Sequence, residues 1–107
     1  MTHTVTVTQT AGNAAGWAVT CYKWASVDDA YPVKYPLLFQ RAGNDYVATV
    51  DLPAGDYSLV CDVWAGVTLS VDLAPPSTRT QPTGPWPITV TPKAQRPYDT
   101  LFYYFQV

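Results

Sequence analysis

Polar and apolar residues alternate one for one along most of this chain, a period of two that predicts strands half-buried against a core. From Thr2 to Thr10, threonines alternate with His3, Val5, Val7 and Gln9. From about Ala15 to Trp24 both faces are bulky, with Trp17, Val19 and Cys21 on one and Thr20, Tyr22 and Trp24 on the other. Tyr46, Ala48, Val50 and Leu52 alternate with Val47, Thr49 and Asp51. Tyr57, Leu59, Cys61 and Val63 then alternate with Ser58, Val60 and Asp62, and Val67, Leu69, Val71 and Leu73 with Thr68, Ser70 and Asp72. Short strands are expected at Leu37 to Gln40 and Ile88 to Thr91. The closing stretch, Tyr98 to Val107, is apolar or aromatic on both faces through Leu101-Phe102-Tyr103-Tyr104-Phe105. That suits a strand covered on both sides, or one whose outer face is a binding or dimer surface.

Turn chemistry punctuates the strands. Ala11-Gly12-Asn13 is one turn and Pro92 to Pro97 another. Ala25 to Pro36, with Asp28, Asp29, Pro32 and Pro36, reads as a loop, as does the proline-dense stretch from Ala74 to Pro87. Pro53-Ala54-Gly55-Asp56 has Pro early and Gly late, a four-residue turn. If it closes a hairpin, Leu52 opposes Tyr57, Val50 opposes Leu59 and Ala48 opposes Cys61, so that apolar faces match. A three-residue loop Trp64-Ala65-Gly66, with Gly66 left-handed, would then pair Val63 with Val67. The expectation is a three-stranded meander from Tyr46 to Leu73 with Trp64 at a turn tip. About eight short strands, with turns every ten or so residues, predict a single antiparallel β-sandwich spanning residues 1–107.

Composition agrees. The eight acidic residues are all Asp, and ten prolines interrupt any helix. A net charge of −2 without a basic cluster argues against a nucleic-acid partner, because phosphate binding needs several cations on one face. The longest apolar run is too short to span a bilayer. No charged-then-apolar signal precedes the first strand, so the chain reads as cytoplasmic or as a mature form without its leader. Cys21 and Cys61 lie in different strands. Bonded across the sandwich, they would close a loop of about 40 residues and contribute roughly 3–4 kcal/mol, and would indicate a secreted or cell-surface protein. Unbonded, they would pack as small hydrophobes, as in a cytoplasmic protein. Their spacing matches no zinc site.

The segment Tyr46 to Leu59 (YVATVDLPAGDYSL) resembles the hairpin of many bacterial Ig-like and prealbumin-like sandwich modules, and is similar to that of some starch-binding modules. The resemblance implies an Ig-like or prealbumin-like sandwich. The antibody-type pattern is absent: Leu59, not Tyr, stands two residues before Cys61, and Trp24 follows Cys21 by only three.

Catalysis finds little purchase. His3 is the only histidine and lies in the first few residues, where chain ends are often disordered or solvent-facing. Outward Asp51, Asp62 and Asp72 and the Asp28-Asp29 pair could in principle cleave glycosides, but they read more simply as a solubilising face and as turn chemistry. No spaced ligand loop supports a calcium site at Asn44 and Asp45, and there is no phosphate-cradling motif. No cofactor is expected. The surplus is aromatic: four Trp, eight Tyr and three Phe. Trp17, Tyr46, Tyr57 and Phe105 suit the core. Trp64, Trp24, Trp86 and Tyr104, with Asp62 as a polar neighbour, are the candidate ligand-binding residues of a non-catalytic, carbohydrate-binding module. The alternative is an interaction subunit that buries the aromatic C-terminal strand against a protein partner or its own copy.

Overall fold

In the computed structural model, which describes residues 1–12, 16–26, 28, 30–93 and 96–107, the alternating segments form strands and no helix is present among them. In chain order the strands are β1 (Thr2–Ala11), β2 (Trp17–Trp24), β3 (Val33–Tyr35), β4 (Gln40–Ala42), β5 (Asp45–Asp51), β6 (Asp56–Trp64), β7 (Thr68–Ala74), β8 (Thr78–Gln81), β9 (Ile88–Val90) and β10 (Tyr98–Gln106). They build a β-sandwich of two five-stranded sheets. Sheet A runs β4-β5-β1-β7-β9 and sheet B runs β3-β2-β6-β10-β8, every pair antiparallel.

Two strands more than expected appear because β3 and β8 form inside segments read as loops. The strand expected at Leu37 to Gln40 begins only at Gln40, and a Gly43-Asn44 turn then folds β4 back on β5, pairing Ala42 with Asp45. Asn13, Ala15, Asp29, Ala94 and Gln95, parts of an expected turn, strand, loop, acid pair and turn, lie outside the described residues.

The expected meander does not form. β5 and β7 both pair with β1 in sheet A, while β6 pairs with β2 and β10 in sheet B. The chain crosses between sheets at each connection from β5 onward. Leu52 and Tyr57 do both face the core, but across the sandwich rather than side by side. Alternation fixes which face of a strand is apolar, and that face is satisfied equally by a neighbour beside it or a sheet opposite it.

Local bonds make the Leu52–Asp56 connection an arch. The Tyr57 hydroxyl donates to the Pro53 carbonyl four residues upstream. Both ends of the chain are tied to the same arch: Leu52 exchanges hydrogen bonds with Met1, and Gly55 exchanges a pair of 2.9 Å bonds with Val107. At the far end Gly66 takes a left-handed φ of 82°, as expected, and the Val67 amide closes the turn onto the Trp64 carbonyl. Gly12 lies against this turn so closely that a Cβ there would meet the Gly66 oxygen at 2.7 Å.

The core is the space between the inner faces. Val5, Val7, Leu52, Leu69, Val71 and Leu73 come from sheet A or its arch, and Tyr57, Leu59, Cys61, Val63 and Phe105 from sheet B. Full burial of each such aliphatic or aromatic side chain contributes about 1.5–3 kcal/mol. Cys21 and Cys61 are free. Both belong to sheet B, where Cys21 pairs with Leu59 and Cys61 with Val19, so they are diagonal neighbours on one inner face rather than partners across the sandwich. Diagonal Cα atoms in a sheet stand roughly 7–8 Å apart, beyond ordinary disulfide reach. Burial pushes both thiols up to about 12.

His3 departs from its sequence reading as well. It is only 1% exposed, with Nδ1 3.1 Å from the Met1 carbonyl and Nε2 3.2 Å from Ser77 Oγ. Its parity on β1 is that of Val5 and Val7, which carries it into the interior despite its place near the chain end.

Candidate functional site

Sheet B turns an aromatic outer face to solvent. Parity decides this: with Leu101, Tyr103 and Phe105 directed inward, Tyr98, Phe102 and Tyr104 share the opposite side of β10. The strand register then brings neighbours beside them. Tyr98 pairs with Trp64, Thr100 with Asp62, Phe102 with Val60, Tyr104 with Ser58 and Gln106 with Asp56. Across β6, Asp62 pairs with Ala18, Val60 with Thr20, Ser58 with Tyr22 and Asp56 with Trp24. The outcome is a stripe of six rings, Trp64, Tyr98, Phe102, Tyr104, Tyr22 and Trp24, running the length of the central strands.

Polar side chains hold these rings. The Tyr98 hydroxyl donates to Asp62 Oδ1 at 2.7 Å and the Thr100 hydroxyl to the same oxygen at 2.6 Å. Trp24 Nε1 donates to Ser58 Oγ at 2.8 Å, over a serine that is completely buried beneath the rings. Gln106 Nε2 donates to Asp56 Oδ1 at 3.2 Å. The rings also touch one another. Trp64 and Tyr98 meet edge to face at 5.0 Å between centroids, Phe102 and Tyr104 are near-parallel at 6.4 Å with 14° between planes, and Trp24 tilts 55° from Tyr104. Trp64, Tyr98 and Phe102 are 45%, 44% and 48% exposed. At the Trp24 end the stripe dips into a cleft of about 540 Å³, bordered by Trp24, Ser26, Asp56, Gln81 and Tyr104.

Of the residues singled out from sequence, Trp64, Trp24, Tyr104 and Asp62 all come to this face. Trp64 does so as the last residue of β6, not from a turn tip. Trp86 does not join them. Its Nε1 donates to the Ser77 carbonyl at 2.8 Å and its ring meets Phe105 edge-on at 5.9 Å, in the open edge between the sheets. The Arg79 guanidinium lies over it at 5.8 Å, and over Tyr103 at 5.6 Å. Long-range contacts of this kind leave no local sequence signal. Tyr98, Thr100 and Phe102 were missed for the opposite reason, since placing Phe105 in the core already assigns them to Tyr104's side.

The carboxylates do not gather. Asp51 and Asp72 lie on the outer side of sheet A and Asp62 on that of sheet B. Asp45 accepts from Thr8 Oγ1 at 2.6 Å, and Asp72 accepts from the Leu73 amide. Asp99 is turned inward at the start of β10, where the Lys93 amide first, then Arg96 and the Thr100 amide, hold its carboxyl below the usual range against the opposing effect of burial. Among the described residues no three His, Cys, Asp or Glu side chains come together as metal ligands, and no helix is long and apolar enough to cross a membrane. No protein-family description, curated protein or solved structure matches this chain.

Proposed function

We propose that this protein is a non-catalytic carbohydrate-binding module whose site is the aromatic outer face of sheet B. The supporting observation is the Trp64-Tyr98-Asp62-Thr100 group. There, two half-exposed rings stand beside a carboxylate and a hydroxyl that already hold each other in place. Sugar rings present apolar C–H faces and polar edges, so a site for them needs aromatic surface and hydrogen-bonding groups within one ring's width. Groups fixed before binding lose little conformational entropy when a ligand arrives. Trp24 with Ser58, and Gln106 with Asp56, repeat the arrangement at the other end.

A glycan array followed by tryptophan-fluorescence titration tests this. Binding weakened about thirtyfold in Trp64→Ala and Tyr98→Ala, with the fold retained by circular dichroism, is expected; a silent array together with unaltered fluorescence overturns the reading. One observation favours a second reading, an interaction subunit. Phe102 stands at the middle of the stripe beside Val60, an apolar centre with a polar rim that suits a protein partner or a second copy. Light scattering separates the two, because a dimer dispersed by Phe102→Asp would favour the interface.

A further inference from the structure

We infer that the ligand is a neutral, linear, equatorially linked polysaccharide that lies lengthwise along β6 and β10 and is gripped within its chain rather than at an end. The inference rests on the carbohydrate reading and narrows it to one polymer class.

Length carries the argument first. The Trp64–Tyr98 row and the Trp24–Asp56–Gln106 row are the two ends of β6, and eight strand residues at roughly 3.3–3.4 Å each separate them by about 27 Å. The molecule's principal extents are 34, 30 and 24 Å, so a stripe of this length is comparable with the molecule itself. A single sugar ring covers only one or two of these side chains. Occupying all of them takes an extended oligomer of several rings.

Shape comes second. The stripe lies on a sheet surface: at one end Trp64 and Tyr98 are near half exposed, and at the other a cleft lies beside β8. Recognition of a chain terminus centres on one terminal ring, whereas rings spread over the length of β6 and β10 suit successive inner rings of a chain. Equatorial linkage keeps successive pyranose rings in an extended ribbon with C–H faces available to aromatic surface. The change in ring tilt from the near-parallel Phe102–Tyr104 pair to the 55° of Trp24 suits a ribbon that turns as it advances.

Charge comes third. Among the described residues, Asp62 and Asp56 are carboxylates on the stripe, and Lys34 at the β3 edge, in register with Tyr22, lies on the same side. A polymer with a negative charge on each sugar would meet both carboxylates with one lysine to offset them.

Isothermal titration of the full chain with ladders of β-1,4-linked gluco-, xylo- and manno-oligosaccharides, from monomer to hexamer, tests the inference. Affinity for one ladder is expected to rise at least tenfold from dimer to hexamer. Trp64→Ala and Trp24→Ala should each lower hexamer affinity several-fold more than dimer affinity, because each shortens the stripe at one end. Carboxymethylcellulose should bind at least tenfold more weakly than hydroxyethylcellulose. Binding of a monomer or dimer as tightly as the hexamer overturns the lengthwise inference while leaving a sugar site intact. Equal binding of the anionic and neutral polymers overturns the charge argument. If no ladder binds but other glycans on the array do, the polymer class is wrong; if nothing binds at all, the carbohydrate reading falls with it.

Discussion

The two outer faces of this sandwich are built on the same scaffold and dressed in opposite ways. On sheet A the outward residues of β1 are Thr2, Thr4, Thr6 and Thr8, flanked by Thr49 and Asp51 on β5 and by Thr68, Ser70 and Asp72 on β7. On sheet B the outward positions of β2, β6 and β10 include six rings, Trp64, Tyr98, Phe102, Tyr104, Tyr22 and Trp24, set among Asp62, Thr100, Val60, Ser58 and Thr20. Threonine satisfies strand propensity and solvation together and needs no further explanation on a solvated sheet. The rings on sheet B pack on one another and bond Asp62 and Ser58, yet several stay near half exposed, and an exposed aromatic patch is the kind of surface that serves for contact. This contrast in composition is the reason the proposed site is placed on sheet B.

Alkaline unfolding is expected to break the symmetry of the sheets most strongly, because both thiols lie in the inner layer of sheet B. Their folded values near 12 stand above the ordinary thiol value of about 8.5, so the folded state favours the protonated form. Their contribution is therefore complete below about pH 8.5 and is lost as pH rises from there toward 12, at up to about 1.4 kcal/mol per pH unit for each thiol. Urea titrations from pH 7 to 10.5 should show this fall, and the Cys21→Ala/Cys61→Ala double variant should flatten it. The same variant should lose some stability at every pH through the space it leaves.

Binding comes next in size. Tyr98→Ala or Trp64→Ala should weaken the ligand about thirtyfold, the effect of a hot-spot ring worth about 2 kcal/mol. Thr6→Ala and Thr49→Ala on sheet A should leave affinity within twofold. If the threonine variants lose binding and the ring variants do not, the faces have been assigned the wrong way round. Asp62→Ala should cost no more than about 1 kcal/mol of stability by chemical denaturation, since the Tyr98 and Thr100 hydroxyls it releases stay near solvent and each other. The smallest effect is expected from Thr6→Val, whose melting temperature should change by no more than a surface substitution worth about 0.5 kcal/mol allows.

Much of this contrast was legible in the sequence, and its limits have a physical pattern. Alternation told inside from outside for β5, β6 and β7 and for the valines and threonines of β1, and so set Asp62 on an outer face; on β2, bulky on both faces, it left the side of Trp24 open. It could not tell which strand lies beside which. The Tyr46–Leu59 segment meets its apolar requirement whether Pro53–Asp56 is a hairpin or an arch, and the Tyr57 hydroxyl on the Pro53 carbonyl belongs to the arch. Gly43-Asn44, a two-residue hairpin signal, was the local cue that would have placed β4. Trp86 was not legible at all, because the Ser77 carbonyl, Phe105 and Arg79 that draw it inward come together only in three dimensions. His3 failed because position in the chain was weighed above parity on the strand.

The arch at Leu52–Gly55 holds the first residue and the last within a few residues of each other. A short peptide could therefore join Met1 to Val107, and the circle could be reopened at Ala65-Gly66, at the opposite pole. Such a permutant would keep every strand pairing while moving its new ends to the Trp64 rim of the stripe. A reporter fused there would sit beside one end of the stripe, and one fused at the present ends beside the other, so the direction of the proposed polymer could be read from the pair.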